Sequence, residues 1–369
     1  MERISIMISI YVRRKIQDPG VFKMLFLSLG LFVSIFLIGT MIIALVGGLG
    51  IKELLTDVFN KDLLLSPILI RYTVIISLIS LALMINVASG FTNLGGEGQI
   101  TLGMLGLLLA SIYLPDLSIG LVISLLLIFI WQMIPYILKI YRDVSDVLTS
   151  FIMNFIALFM INHIVTYVFR GDIARPRSPP INEKLSLHYV SGDNFLSLLF
   201  SRVSIESIVT LLIFIILLYI VLLRHRIGYS IRMIGYSVKT ASLSGVKIPM
   251  YMIISVVMSS LLLSIASAEM LLGSERRIYY NDYAKIGMSS MSFGLGYTAL
   301  GIALLSNGRS YLILIYSYLL SIGYMIVFTS YGYFRLILGT AVIGLSLLSA
   351  LLTDLLLRYE VKISWSQRR

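Results

Sequence analysis

The sequence predicts an all-α, polytopic membrane bundle of about ten spans, built as two inverted five-span repeats with broken helices. Three observations predict it. The 369 residues are 58% hydrophobic and 13% charged, with a mean hydropathy of +0.96, whereas a water-soluble domain is about 25% charged. Apolar runs of membrane length follow one another along the chain, separated by short polar segments. Finally, a glycine pattern recurs. Gly96-x-Gly98-x-x-x-Leu102-Gly103 aligns with Gly294-x-Gly296-x-x-x-Leu300-Gly301 at a constant offset of 198 residues. On the span count below, the two copies run in opposite directions, as an inverted repeat requires.

Residues 1–20 place Ile4, Ile6, Met7, Ile10, Tyr11 and Val12 ahead of Arg13, Arg14 and Lys15. With the charges after the apolar part, and with no small-residue cleavage site, the expectation is an interfacial cytoplasmic helix. The transmembrane region is expected over 21–357, in halves of 21–169 and 205–357. Its first span is 21–46, followed by a mixed-charge helix on the outer surface at 51–66. Further spans are expected at 67–87, 99–113, 119–138 and 147–169. The connector 170–204 carries Arg175-Pro176-Arg177-Ser178-Pro179-Pro180, which predicts an extended extracellular segment, either a flexible link or a surface that meets a binding protein.

The second half repeats this scheme. Spans are expected at 205–223, 250–273 and 288–306, the last interrupted by Gly294 and Gly296. A ninth ends near 328 after the turn Asn307-Gly308-Arg309, and a tenth runs over 336–357. The segment 224–249 and the tail 358–369 are basic and belong in the cytoplasm. Excess Lys and Arg on the inner side accounts for the net charge of +11 without nucleic acid and puts both termini on the cytoplasmic side of the cell membrane.

Between the second and third spans lies Asn93-Leu94-Gly95-Gly96-Glu97-Gly98-Gln99, an acid and two amides among three glycines. An ionisable group at the centre of a span costs about 3 kcal/mol or more, so Glu97 must be paired, protonated or facing water inside the protein. Gly95, Gly96 and Gly98, like Gly294 and Gly296, mark a broken or closely packed backbone. The candidate pathway residues are Asn86, Asn93, Glu97, Gln99, Asn154 and Ser292, amides and a hydroxyl at membrane depth that suit a neutral, hydrogen-bonding solute. Each has a structural alternative. Glu97 suits a helix N-cap, Asn93 and Gln99 can satisfy freed backbone groups, and Asn154 can join helices. Glu269 is expected to pair with Arg276 or Arg277.

Several chemistries are excluded or weakened. Without cysteine there is no disulfide framework or thiol catalysis, and the three histidines have no metal spacing. No GxxxxGK[ST] stretch is present, so any ATPase must be another polypeptide. An ion-coupled secondary carrier usually needs more intramembrane acids than Glu97, Glu269 and Asp354. A membrane-embedded enzyme would need an acid–base or metal cluster that is not evident.

The basic segment 224–249 contains a predicted short helix over 238–244, with Ser237 as N-cap, Gly245 as C-cap and Pro249 opening the next helix. Exposed between two spans, such a helix suits docking into a cleft on a partner.

These stretches together resemble the permease subunits of ABC importers of the branched-chain amino acid, ribose and nucleoside type, closest to the nucleoside branch. The resemblance rests on Asn93 to Gln99, similar to an Asn-x-Gly-x-Glu-Gly-Gln signature, and on Asp146-Val147-Leu148-Thr149-Ser150-Phe151-Ile152-Met153-Asn154. It also rests on the loop from Gly235 to Gly245, where Lys239-Thr240-Ala241 stands in place of Glu-Ala-Ala while Ala241 and Gly245 keep the spacing.

The resemblance implies a non-enzymatic permease that holds no cofactor itself, with ATP-Mg on partner ATPase subunits. It implies a second permease subunit, identical or homologous, and a lipoprotein or periplasmic solute-binding protein outside. Coupling to the ATPase would involve Gly235, Val238, Lys239, Thr240, Ala241, Leu243 and Gly245. The expected solute is a nucleoside or similar small polar molecule, with ribose-type sugars or branched-chain amino acids as alternatives.

Overall fold

The computed structural model describes residues 6–14, 64–171, 176–273, 276–289, 291–306, 308–329 and 359–367, with isolated helical residues between them. The expected spans 21–46 and 336–357 and the surface helix 51–66 lie almost wholly outside the described residues. What is described between 64 and 329 is a helical bundle. Its helices are α1 (Pro67–Ala88), α2 (Gly96–Tyr113), α3 (Leu117–Arg142) and α4 (Asp146–His163), the last continued by a π turn (Ile164–Val168). Then come the short α5 (Phe195–Phe200), α6 (Ile205–Arg224), α7 (Arg226–Tyr236), α8 (Val238–Leu243) and α9 (Ile248–Leu272). A 3-10 turn (Asp282–Ile286) leads to α10 (Leu295–Ser306) and α11 (Ser310–Thr329).

Local sequence accounts for most of these limits. Ser66, Asp116, Ser145 and Ser204 accept hydrogen bonds from first-turn amides of α1, α3, α4 and α6, and Pro67 opens α1 where its missing N–H is not needed. Pro135 lies inside α3, and Asp143 ends that helix in a left-handed conformation.

Among the described residues, five helices are long and apolar enough to cross a membrane: α1, α3, α4 with its π turn, α6 and α9. Burial sorts them into layers. α1 and α2 are sheathed by protein and form the centre, with α1 flanked by α9, α10 and α11, and α2 packed on α3. Outside, α3 presents Ile119, Val122, Leu126, Ile130, Ile134 and Ile137 without protein cover. They are spaced by three or four residues and so share one helix face. Inside, by contrast, Asn86, Asn93, Glu97, Gln99, Gln132, Asn154 and Glu269 are buried. Exposed aliphatic and buried polar side chains are the arrangement of a chain whose surroundings are lipid.

The termini depart from expectation. Residues Ile6–Arg14 form a strand, β1, instead of an interfacial helix, and pair antiparallel with β2 (Tyr359–Gln367) from the tail. The reason is periodicity. Ile6, Ile8, Ile10 and Val12 alternate with other residues at a period of two, as do Tyr359, Val361, Ile363 and Trp365. The register sets Ile10 opposite Ile363 and Val12 opposite Val361. β-Branched residues in that pattern favour a paired strand once a second strand is at hand.

The connector 170–204 is largely extended but is not loose. Ser178 donates its amide to Ile278 O at 2.8 Å, Ile181 its amide to Arg276 O at 2.8 Å, and Tyr280 its amide to Pro176 O at 2.9 Å. These bonds strap the segment to 276–280, and its own Ile181, Leu185, Leu187 and Val203 are buried against the bundle.

Candidate functional site

The polar stretch between α1 and α2 is a true interruption. α1 closes at Ser89, Gly90 turns the chain with φ +77°, and helix resumes at Gly96. Gly95 is the N-cap, and Gly96, Glu97 and Gly98 form the first turn of α2. A second interruption precedes α10, where Gly287, Phe293 and Gly294 have positive φ. Gly296 lies within the first turn of α10. The two helix starts abut: a Cβ on Gly296 would sit 2.5 Å from Glu97 N, and one on Gly96 would sit 3.2 Å from Gly296 Cα. Backbones this close leave room for glycine alone.

Glu97 is not an N-cap of its own helix. Its carboxylate Oε2 accepts from Ser292 Oγ at 2.6 Å and, more weakly, from Gly296 N at 3.4 Å, so it serves the start of α10. An acid at a helix start complements the free N–H groups there. The other oxygen, Oε1, is buried and makes no hydrogen bond.

The amides form a chain across the centre. Asn93 and Gln99 exchange two hydrogen bonds, Nδ2 to Oε1 at 2.9 Å and Nε2 to Oδ1 at 3.0 Å, and Asn93 Oδ1 also takes the Gly95 amide at 2.8 Å. Gln132 Nε2 donates to Gln99 Oε1 at 3.1 Å, Ser259 Oγ donates to Gln132 Oε1 at 2.9 Å, and Asn86 Nδ2 donates to Ser259 Oγ at 3.1 Å. Asn154 splints the interruption from α4. Its Oδ1 accepts from Gly98 N at 2.8 Å, and its Nδ2 donates to Leu94 O at 2.7 Å and to Tyr297 Oη at 2.9 Å. The structure thus brings Asn86, Asn93, Gln99 and Asn154 into one buried region with Glu97 and Ser292. Each of these amides answers a neighbouring polar group, as a buried polar group must.

Gln132, Ser259 and Tyr297 were not anticipated. A lone glutamine in the run Ile130-Trp131-Gln132-Met133 was a usable signal. The serine and tyrosine are too common in these spans to stand out.

Glu269 takes a different partner from the one expected. Arg71 of α1, not Arg276 or Arg277, stands 3.5 Å from it, and Ser207 Oγ donates to it at 2.7 Å, with Ser204 alongside. Arg276 instead donates to the carbonyls of Asn182 and Leu185 in the connector. Arg71 sits where its stem follows α1 and its head reaches α9, donating also to Glu269 O at 2.7 Å. The connector's Tyr189 lies beside this pair; burial, with the Glu269 charge, pushes its phenol up to about 12, so it stays neutral at physiological pH.

At the other end of the bundle, Lys139 bonds Asp146 at 2.7 Å and the carbonyl of Gly90, while Asp146 also accepts the Thr92 amide at 2.6 Å. Close by, α8 is capped as expected: Ser237 accepts from Thr240 N at 3.2 Å, and Gly245 turns with φ +76°. Val238 and Leu243 are exposed, whereas Ala241 is buried. Gly235 lies outside α8, at the end of α7. A pocket of about 280 Å³ opens between α7 and α8, lined by Tyr229, Arg232, Met233, Tyr236, Ser237 and Thr240.

Residues 67–357 match the protein family described as "Branched-chain amino acid transport system / permease component". The chain is 26% identical over 227 residues to the guanosine ABC transporter permease protein NupP of Bacillus subtilis (strain 168), covering 58% of this chain and 63% of that one. It is 22% identical over 241 residues to the nucleoside ABC transporter permease protein NupB of Lactococcus lactis subsp. cremoris (strain MG1363), covering 63% of this chain and 64% of that one. The matches therefore span a little under two thirds of each relative. No solved structure matches the chain.

Proposed function

Because the chain belongs to the family of branched-chain amino acid transport system permease components, we propose that it forms the translocation pathway of an ABC importer for a nucleoside or similar small polar solute. In this reading a separate ATPase energises it, a second permease completes the pore, and a solute-binding protein delivers the solute from outside. The observation that carries the reading is the buried chain of amides and hydroxyls around Asn93, Gln99, Asn154 and Glu97, set in an otherwise apolar bundle. Such groups can exchange their mutual bonds for those of a neutral solute. The names of the two relatives point the solute toward nucleosides.

One contact supports the inverted repeat. Arg71 and Glu269 are 198 residues apart, the same offset that aligns the glycine patterns, and they meet each other. The two glycine patterns also abut, at Gly96 and Gly296, two residues out of that register. Repeat-related positions meet in this way when they lie near a pseudo-two-fold axis, where binding sites of inverted repeats are built. The exposed α8, with Val238, Lys239, Thr240 and Leu243 outward, is the element proposed to engage the ATPase on the cytoplasmic side, where both termini are placed.

The test is uptake by proteoliposomes holding the chain with a partner ATPase, a second permease and a solute-binding protein. Guanosine, ribose and isoleucine are offered in parallel. ATP-dependent uptake of guanosine supports the proposal; preference for ribose or isoleucine reassigns the solute. Uptake by the chain alone along an ion gradient overturns it in favour of a secondary carrier.

A further inference from the structure

The cytoplasmic pair α7 and α8 touches the interrupted segment at a joint made of backbone. A Cβ on Gly235 would lie 2.3 Å from Ala88 O and 3.1 Å from Gly90 N, and one on Gly90 would lie 2.9 Å from Gly235 Cα. Gly235 is exposed on its outer side and Gly90 is half-buried, but no side chain lies between the two backbones to absorb a displacement. A second contact lies beside it. Ala241, the buried residue of α8, shares a cluster with Phe91, Tyr136 and Ile234, and the Phe91 ring meets Tyr136 edge-on with centroids 5.4 Å apart. Beyond the joint, the same segment is tied to α4 by Thr92 N to Asp146, Leu94 N to Ser150 and Gly98 N to Asn154. Glu97 follows within a few residues.

We propose that Gly235 and Gly90, seated by Phe91, are positioning residues for transport. They form the joint through which movement of α7 and α8 reaches the first turn of α2 and the Glu97–Ser292 bond. The proposal rests on the reading of α8 as the ATPase-coupling element. A rearrangement of the cytoplasmic pair shifts 88–92 as a unit, because that turn is held on one face by Gly235 and on the other by Lys139 and Asp146. The start of α2 must follow, and the α2–α10 contact at Gly96 and Gly296 opens or closes with it.

The chain contains no cysteine, so a single thiol introduced here is the chain's own, and the complex carrying the unsubstituted chain gives the background from the partner subunits. Met291→Cys places one next to Ser292, in the full complex with ATPase and binding protein in proteoliposomes. Two quantities are read: the change in maleimide reaction rate on adding ATP with vanadate, and guanosine moved per ATP hydrolysed. Gly235→Ala should abolish the nucleotide-dependent rate change and lower the transport ratio about tenfold. Phe91→Leu keeps an apolar side chain, so it serves as the second variant if Gly235→Ala is not recovered folded, and it should lower the ratio about threefold. A lesion that only destabilises the chain reduces uptake and hydrolysis together and leaves the ratio unchanged. An unchanged ratio and an intact rate change in the recovered variants overturn the joint and leave the coupling reading standing. Absence of ATP-driven uptake and of any rate change in the parent complex removes the coupling reading, and the joint with it.

Discussion

The carboxylate of Glu97, in the first turn of α2, accepts a hydrogen bond at 2.6 Å from the hydroxyl of Ser292, 195 residues further along the chain and just ahead of α10. One acid thereby bridges the two interruptions of the bundle. Removing it strands two buried donors, Ser292 Oγ and Gly296 N, at about 1–3 kcal/mol for a buried group left unsatisfied. Glu97→Ala should therefore lower both the thermal midpoint and uptake, whereas Glu97→Gln keeps an acceptor for both donors and should hold the midpoint close to the parent. Differential scanning fluorimetry of the purified chain, read beside uptake, checks this. Equal midpoints for the two variants would remove the bridging role.

Asn154 serves three polar groups at once: the Gly98 amide, the Leu94 carbonyl and the Tyr297 hydroxyl. Asn154→Ala is expected to be among the most damaging substitutions in α4, because the interruption loses its splint on both sides. Tyr297→Phe removes one of those partners and leaves the ring in place, so it should cost less, about 1 kcal/mol. Thermal stability of the two variants in detergent should fall in that order.

The Arg71–Glu269 pair joins α1 to α9, and the carboxylate is fully buried. Losing one partner of a buried pair typically costs 3–5 kcal/mol, whereas losing both costs less. Arg71→Met should sharply lower the yield of folded chain, and Arg71→Met with Glu269→Gln should recover part of it. A double variant equal to the sum of the singles would show that the two residues act independently.

Gly245 turns with φ +76° beyond α8, and a side chain added there would meet nothing within 4 Å. Its requirement is one of conformation and not of space, since L-residues pay roughly 1–2 kcal/mol for that region and Asn and Asp tolerate it best; what Asp adds over Asn is a negative charge on the basic face offered to the ATPase. Gly245→Asp should abolish solute-stimulated ATP hydrolysis in the assembled complex while the binding protein keeps its affinity for solute. Gly245→Asn should retain more stimulation. The stimulation measured for the two variants, relative to the parent, decides the point.

Much of this architecture was legible because it rests on local physics. The apolar runs predicted α1, α3, α4, α6 and α9 within a few residues, since length and hydropathy are properties of the run itself. The limits of α8 followed from Ser237 and Gly245, whose capping roles depend on immediate neighbours. The stretch from Asn93 to Gln99 stood out because an acid and amides between apolar runs are anomalous wherever they end up. At the N-terminus local reading failed. Ile6, Ile8, Ile10 and Val12 alternate at the period of a strand, but Met7 and Tyr11 let the same stretch read as a helix face, and pairing with 359–367 is what holds the strand.

By itself, then, the sequence determined the kind of protein, the order of its helices and which residues are polar where polarity is costly. The tertiary structure alone decided what each of those residues answers to. Glu97 caps a helix other than its own, Glu269 meets Arg71 and not its neighbours Arg276 and Arg277, and Gln99 is held by Gln132 as well as Asn93. The reason is that a buried polar group must find a partner of fitting geometry, and in a bundle that partner is supplied by helices distant in the chain.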